Sequence, residues 1–107
     1  MSKTIAVDFD GCLILYKAIN WSEPNKTLIA KLIQAKQKGH KIILWTCREN
    51  EKLQEAVEWC KKLGLEFDAV NENLDPEETE ADHKIRANVY VDDLAMQPDN
   101  FIINFEL

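Results

Sequence analysis

The sequence has no apolar stretch long enough to span a bilayer, and its cysteines are few. Without such a stretch we expect no transmembrane helix, and because MSK leads directly into an apolar segment we expect no signal peptide. Cys12, Cys47 and Cys60 make an odd set without CxxC spacing, which is unlike a disulfide framework or a zinc knuckle. These absences predict a protein of the reducing cytoplasm that does not associate with membranes.

Histidine and positive charge are also scarce. His40 and His83 have no Cys or His partner at ligand spacing, which argues against a zinc site. The chain carries 13 basic and 19 acidic residues, a formal net charge of -6. Proteins that grip long nucleic acids are usually basic, so a small substrate is favoured, and binding to nucleic acid stays an open question.

The composition that is present fits one folded domain. The 107 residues are 46% hydrophobic and 30% charged, which is typical of a globular rather than a disordered chain. Neither a repeat nor a linker divides the sequence. We therefore expect a single domain over residues 1–107.

Apolar runs alternate with segments of helical spacing along the chain. The runs predict strands over 4–8, 41–45, 67–70, 88–91 and 101–103. Apolar residues at helical spacing predict one helix through 28–36, capped by Ser22 or Asn25, and a second helix over 51–63. A glycine follows each helical segment and can end it. This alternation predicts an α/β fold with a single doubly wound, Rossmann-like parallel sheet of about five strands.

Chemically distinctive side chains follow three of the predicted strands. They are Asp8 and Asp10 after the first strand, Thr46, Cys47 and Arg48 after the second, and Asp92 and Asp93 after the fourth. In doubly wound sheets, ligands bind at the carboxyl ends of the strands. We therefore expect all of these residues to converge on one rim of the sheet.

The acids on this rim predict a magnesium site. Several carboxylates crowded together repel one another, and a divalent cation removes that cost. Hard oxygen ligands in this number suit Mg²⁺, and the candidate ligands are Asp8, Asp10, Asp92 and Asp93. If the chain turns near Gly11, the side chain of Asp8 and the backbone carbonyl of Asp10 can both reach the ion. The Asp10 side chain then serves proton transfer.

A phosphate group is the anion that would accompany such a cation. The Thr46 hydroxyl can donate to phosphate oxygens, and Cys47 and Arg48 are candidates beside it through backbone N–H groups and the guanidinium. Lys84 or Arg86 can supply further positive charge.

Two of these candidates have ordinary structural alternatives. Arg48 is equally suited to pairing with Glu49 or Glu51 on the surface. Cys47 has no paired base, so its side chain is expected to pack as a small hydrophobe.

The order of these motifs resembles the haloacid dehalogenase superfamily, most of whose members are phosphatases with an aspartate nucleophile. The first family motif, DxDG, is matched by DFDG at 8–11, and the second, an apolar strand ending in Thr or Ser, by IILWT at 42–46. Lys84 is the best match to the third motif, a lysine, and Asp92-Asp93 matches the acidic pair of the fourth. The resemblance covers essentially the whole chain.

The resemblance implies a magnesium-dependent phosphomonoester hydrolase. Asp8 would attack phosphorus, and Asp10 would protonate the leaving oxygen and later activate water. Thr46 and Lys84 would hold the phosphoryl oxygens. One of Asp92 and Asp93 would bind the metal directly, and the other directly or through water.

The chain departs from the family pattern in three places. Cys12 stands where Thr is usual, and Lys84 lies closer to Asp92 than in many relatives. The cap domain that most members carry is also missing, because 12–40 has room only for a flap and one helix and 71–83 is a short loop. The resemblance therefore implies a capless member.

Capless members resemble enzymes that act on large substrates or borrow a neighbouring subunit as a lid. Here the flap over 14–25, with Tyr16, Lys17 and Trp21, is the expected specificity element, and a homo-oligomer could supply the lid. Nucleotides, sugar phosphates and the phosphate end of a nucleic acid all remain candidate substrates.

Two other functions are alternatives to this one. A phosphorelay receiver domain needs its phosphorylated Asp at the end of the third strand, and here Val70 is followed by Asn71, so that reading fails. The other rival is a catalytically weak protein of the same fold that binds or regulates, and a turnover assay separates it from an enzyme.

Overall fold

A computed structural model describes residues 2–15, 23–74, 85–92, 98, 101–102 and 105. Its strands are β1 (Thr4–Val7), β2 (Ile14–Leu15), β3 (Glu23–Pro24), β4 (Lys41–Leu44), β5 (Ala69–Val70) and β6 (Val89–Val91). Its helices are α1 (Lys26–Gln37) and α2 (Asn50–Lys62). Neither helix of this described part has the length and apolarity to cross a membrane.

Four of the strands form one parallel sheet in the order β5-β4-β1-β6. Val7, the last residue of β1, pairs with Leu44 on one side and Val91 on the other. The chain moves outward from β1 to β4 and β5, and then returns to the opposite side of β1 as β6. This reversal next to β1 is a topological switch point, and it makes the sheet compatible with a Rossmann-like fold. The expected α/β class and parallel sheet are confirmed.

The central strands of this sheet are covered on both faces. All three residues of 5–7 in β1 and of 42–44 in β4 are 0% exposed. Because successive residues of a strand point to opposite faces, full burial of three in a row requires protein on each side. That is why these strands read as continuous apolar runs rather than as alternating patterns.

Asn25 caps the start of α1 and ties the helix to the loop that follows β1. Its side-chain oxygen accepts a hydrogen bond from the Leu28 N–H at 3.3 Å, and its amide nitrogen donates to the Cys12 carbonyl at 3.1 Å. Of the two expected caps, Asn25 is therefore the one observed, and Ser22 lies outside the described residues. At the other end, Gly39 has a φ of +96°, as expected for a glycine that ends a helix.

The flap expected over 14–25 has a short hairpin at its base. β2 and β3 pair antiparallel, with Ile14 opposite Pro24 and Leu15 opposite Glu23. Tyr16, Lys17 and Trp21, the expected specificity residues of the flap, lie outside the described residues.

The strand expected over 101–103 is wrong. Phe101 and Ile102 have helical backbone, and the Phe105 N–H donates to the Phe101 carbonyl at 3.0 Å, the spacing of an α-helical turn. The two phenylalanine rings are buried and stacked, with centroids 4.8 Å apart. Their separation by four residues favours a helix, because side chains at i and i+4 lie on one helical face. The parallel sheet of the described residues therefore has four strands.

Candidate functional site

Asp8 and Asp92 lie at the carboxyl ends of two adjacent parallel strands. Asp8 directly follows β1 and Asp92 directly follows β6, and the Asp8 N–H donates to the Val91 carbonyl at 3.0 Å. Both acids line a cavity of about 250 Å³ together with Trp45, Thr46 and Cys47. The cavity lies at the switch point of the sheet, where ligands bind in open α/β sheets.

The Asp8 carboxylate is oriented by the backbone next to it. Its Oδ1 accepts a hydrogen bond from the Phe9 N–H at 2.7 Å. The side chain is half-buried. A carboxylate held in this way presents one defined face to a ligand in the cavity.

The chain turns sharply after Asp8, as the glycine of the motif predicts. Gly11 has a φ of +80°, a region that favours glycine. The Phe9 carbonyl accepts the N–H groups of Cys12, Leu13 and Ile14 at 3.2, 3.0 and 3.1 Å. This turn separates Asp10 from the line of β1, so the two acids of the motif have different surroundings.

Asp10 forms a two-pronged ion pair with Arg48. Arg48 Nε lies 2.9 Å from Asp10 Oδ2, and Arg48 Nη2 lies 2.8 Å from Asp10 Oδ1. The guanidinium carbon also lies 4.6 Å from the centroid of the Phe9 ring, which is the distance of a cation–π contact. Arg48 therefore pairs with an acid of the DFDG segment. The expected alternative, a surface pair with Glu49 or Glu51, is not the one observed. Its predicted contact with phosphate stays a prediction.

Thr46 is held at the rim by Asn71, a residue that the sequence analysis missed as part of the site. The Thr46 N–H donates to Asn71 Oδ1 at 2.8 Å, and the Asn71 N–H donates to the Leu44 carbonyl at 2.7 Å. Thr46 Oγ1 in turn accepts the Arg48 N–H at 3.3 Å. Its position in the sequence could have identified it, because Asn71 directly follows a predicted strand, as the acids of the rim do.

Trp45 and Tyr90 form an aromatic wall that was also missed. Trp45 lines the cavity and is 39% exposed, and its ring meets the Tyr90 ring edge to face with centroids 5.5 Å apart. The Tyr90 hydroxyl donates to the Ile85 carbonyl at 2.6 Å and accepts the Ala87 N–H at 3.1 Å. The sequence feature that could have identified Trp45 is its place as a large aromatic residue at the end of KIILW, where a buried strand reaches the rim.

The remaining candidates differ in how the structure places them. The Cys47 side chain is exposed at the cavity, so the expectation that it packs as a small hydrophobe is wrong, because the chain has already left the core at Thr46. Arg86 is exposed, and its N–H donates to the buried Asn73 Oδ1 at 2.5 Å. Lys84 and Asp93 lie outside the described residues.

The described part of the chain contains no group of three or more His, Cys, Asp or Glu side chains placed to hold a metal ion. It does bring two carboxylates, those of Asp8 and Asp92, to one cavity. Mg²⁺ in phosphoryl-transfer sites is commonly bound by one or two carboxylates together with waters and substrate phosphate. These two residues therefore fit the chemistry of that ion.

The thiol of Cys60 lies in the core rather than at the site. It is 0% exposed, and desolvation by burial raises the pKa of this thiol to about 12. Cys12, Cys47 and Cys60 are all free thiols.

No protein-family model matches this chain, and no curated protein matches it. A solved structure is similar, described as "Structure of the conserved protein coded by locus from Bacteroides thetaiotaomicron". It shares 37% sequence identity and a TM-score of 0.73, over 84% of this chain and 74% of that chain.

Proposed function

The chain belongs to the same family as that conserved protein of Bacteroides thetaiotaomicron, and we propose that it is a magnesium-dependent phosphomonoester hydrolase with an aspartate nucleophile. One observation carries the proposal. Asp8 and Asp92 follow adjacent parallel strands at the switch point and share one cavity with Thr46. Two acids and a hydroxyl around a small cavity suit a divalent cation and a phosphoryl group.

The reaction would proceed in two steps through Asp8 and Asp10. A carboxylate oxygen of Asp8 attacks phosphorus, the bond between phosphorus and the ester oxygen breaks, and Asp10 gives its proton to that oxygen, so an alcohol leaves. Asp10 then takes a proton from a water molecule that attacks the phosphorus of the aspartyl-phosphate. Inorganic phosphate leaves, the Asp8 carboxylate is restored, and Asp10 is protonated again.

The surrounding residues would bind the phosphoryl group. The Thr46 backbone is held at the rim by the Asn71 side chain, and the Thr46 hydroxyl, which accepts the Arg48 N–H, can donate to a phosphate oxygen. Cys47 lines the same cavity, and Lys84, or else Arg86, would supply a positive charge. Mg²⁺, held by Asp8, Asp92 and Asp93 with the Asp10 carbonyl, would neutralise charge on the phosphoryl oxygens and orient the group.

The size of the cavity bears on which part of a substrate it takes. About 250 Å³ is below the usual range of pockets that enclose a whole small-molecule ligand. A phosphoryl group fits, whereas the remainder of a nucleotide, sugar phosphate or nucleic-acid end would lie outside. This supports a capless phosphatase of the haloacid dehalogenase type, whose lid is a second copy of the chain or the substrate itself.

A second candidate is a catalytically weak protein of the same fold that binds or regulates. One observation favours it: both carboxylate oxygens of Asp10 accept hydrogen bonds from Arg48. An acid locked permanently in that pair would serve proton transfer poorly. Turnover separates the two candidates, because only the hydrolase consumes substrate.

The test of the proposal is a screen of phosphomonoesters with the purified chain. The panel comprises para-nitrophenyl phosphate, nucleoside monophosphates, sugar phosphates and oligonucleotides with a terminal phosphate, each with Mg²⁺ and with excess chelator. We expect release of inorganic phosphate from at least one class with Mg²⁺ and none with chelator. Binding without turnover across the panel would favour the second candidate.

A further inference from the structure

Arg48 contacts Asp10 in a geometry that matches the two oxygens of the carboxylate. The Nε–Oδ2 distance is 2.9 Å and the Nη2–Oδ1 distance is 2.8 Å, so two nearly parallel N–H groups meet one carboxylate. The side chains are 22% exposed for Arg48 and 35% exposed for Asp10. A partly buried pair of this kind fixes the plane of a carboxylate more firmly than a single hydrogen bond does.

The arginine is itself held by further contacts, one of them a hydrogen bond from its Nη1 to the Lys52 carbonyl at 3.5 Å. Its guanidinium carbon lies 4.6 Å from the centroid of the buried Phe9 ring. Its backbone N–H donates to Thr46 Oγ1 at 3.3 Å, which ties it to the end of β4. The contact between Asp10 and Arg48 therefore joins the turn after β1 to the segment after β4, two neighbouring strands of the sheet.

We propose that Arg48 is a positioning residue that orients the Asp10 carboxyl for proton transfer, and that it is not a ligand of the substrate phosphate. The inference rests on the proposed hydrolase function. The two N–H groups fix the plane of the Asp10 carboxyl, and with it the direction in which a proton passes to the leaving oxygen or arrives from water.

The two roles of Arg48 predict different kinetics. A positioning residue matters most when the leaving oxygen needs a proton, because a strongly basic leaving group cannot depart as an anion. A phosphate ligand instead contributes to every substrate equally, because the phosphoryl group is the same in each. Matched esters that differ only in the acidity of the leaving group therefore separate the roles.

The test compares para-nitrophenyl phosphate with phenyl phosphate, because nitrophenol is a much stronger acid than phenol. The variants are Arg48→Met, which removes the charge, and Arg48→Lys, which keeps the charge without the planar fork. Lys36→Gln is the matched control, since Lys36 donates to the Glu66 carbonyl and lies 3.7 Å from Asp68, and it does not line the cavity of the proposed site. The readout is kcat/KM, which covers the steps up to departure of the leaving group.

For both Arg48 variants we expect kcat/KM for phenyl phosphate to fall about tenfold or more and that for the nitrophenyl ester to change by less than about threefold. With the nitrophenyl ester, kcat should fall, because Asp10 also activates the water of the second step. KM should fall by the same factor, because the slowed step comes after the leaving group has departed. Lys36→Gln should match the wild type on both esters.

Equal losses on both esters with a raised KM, or full recovery in Arg48→Lys, would overturn the proposal and make Arg48 a phosphate ligand. Unchanged kinetics in both variants would also overturn it. If Arg48→Met does not fold, Arg48→Lys alone decides, through its loss of kcat/KM on phenyl phosphate relative to its loss on the nitrophenyl ester. If the wild-type chain shows no magnesium-dependent turnover, the proposed function fails first and this inference fails with it.

Discussion

The two acids of the DFDG segment differ in surroundings although only one residue separates them. Asp8 faces the cavity and accepts the Phe9 N–H, whereas Asp10 accepts two N–H groups of Arg48. The turn at Gly11 produces this difference, because it removes Asp10 from the extended line of β1. These different surroundings suit the two roles proposed for them, nucleophile for Asp8 and acid and base for Asp10.

Asp10→Asn should slow both steps of hydrolysis without removing the nucleophile. General acid–base catalysis contributes about 10²- to 10⁴-fold, so we expect a loss of kcat in that range. Pre-steady-state measurement with phenyl phosphate, whose leaving group needs the proton, checks this, because both release of phenol and the later steady rate should fall. A variant that loses only one of the two rates would contradict a shared role for Asp10.

Trp45→Ala should weaken the use of substrates that carry an aromatic ring. Trp45 lines the cavity, is 39% exposed and is held by the Tyr90 ring, so it offers a preformed face for stacking. Stacking on an aromatic side chain is worth about 1–3 kcal/mol, and kcat/KM for a nucleoside monophosphate should fall about 5-fold or more. Glycerol phosphate should change little, and Trp45→Phe should retain most of the activity. Equal losses on both substrates would make Trp45 a packing residue only.

At the scale of elements, α1 is anchored to the site by Asn25, the capping residue that precedes it. Asn25 caps the helix through the Leu28 N–H and also holds the Cys12 carbonyl, so the start of α1 and the loop after β1 are fixed together. The antiparallel pairing of β2 with β3 lies in the connection between them. The position of the DFDG turn therefore depends on a helix that does not reach the cavity itself.

Asn25→Ala should destabilise the fold by about 1–2 kcal/mol, because it removes a helix cap and a second hydrogen bond. Urea unfolding followed by circular dichroism measures this as a lower midpoint. Gln34→Ala in the same helix is the control, since Gln34 is exposed. Its free energy of unfolding should differ from that of the wild type by no more than about 0.5 kcal/mol. If the two variants unfold at the same midpoint, the cap contributes nothing to stability.

Elements with a strong local signal were predictable from the sequence. Both helices, with a capping side chain at the start of the first and a glycine after each, are found close to the expected bounds, and the four strands of the sheet lie within the expected runs. The run at 101–103 was mistaken for a strand because three apolar residues alone do not distinguish a strand from a helix. The stacking partner Phe105, one helical turn later, is what decides it.

Contacts at the site were predictable only where strand ends determine them. Asp8 and Asp92 share a cavity because each follows a strand of one parallel sheet, and the alternation of strands and helices already implies that. The pair of Asp10 and Arg48 was not predicted, because it depends on the angle at which the chain leaves the turn at Gly11. The hydrogen bond from Thr46 to Asn71 likewise depends on the order of β4 and β5 in the sheet.

At the scale of the whole molecule, the proposed activity should depend on a small hard cation. The acids that line the cavity suit Mg²⁺, and we expect Mn²⁺ and Co²⁺ to support part of the rate and Ca²⁺ to inhibit, because Ca²⁺ prefers more ligands and a looser geometry. Rates of para-nitrophenyl phosphate hydrolysis with each ion, after complete chelation and dialysis, check this. Full activity in the presence of excess chelator would contradict the prediction.

The central claim is that Asp8 is the nucleophile of a phosphatase. Its most direct test is magnesium-dependent hydrolysis of para-nitrophenyl phosphate by the wild-type chain and by Asp8→Asn, with thermal unfolding of both chains measured without metal. The substitution removes the attacking carboxylate and one negative charge from the rim, so we expect turnover to vanish while the fold is as stable as the wild type or more so. Turnover close to wild type in Asp8→Asn would contradict the account.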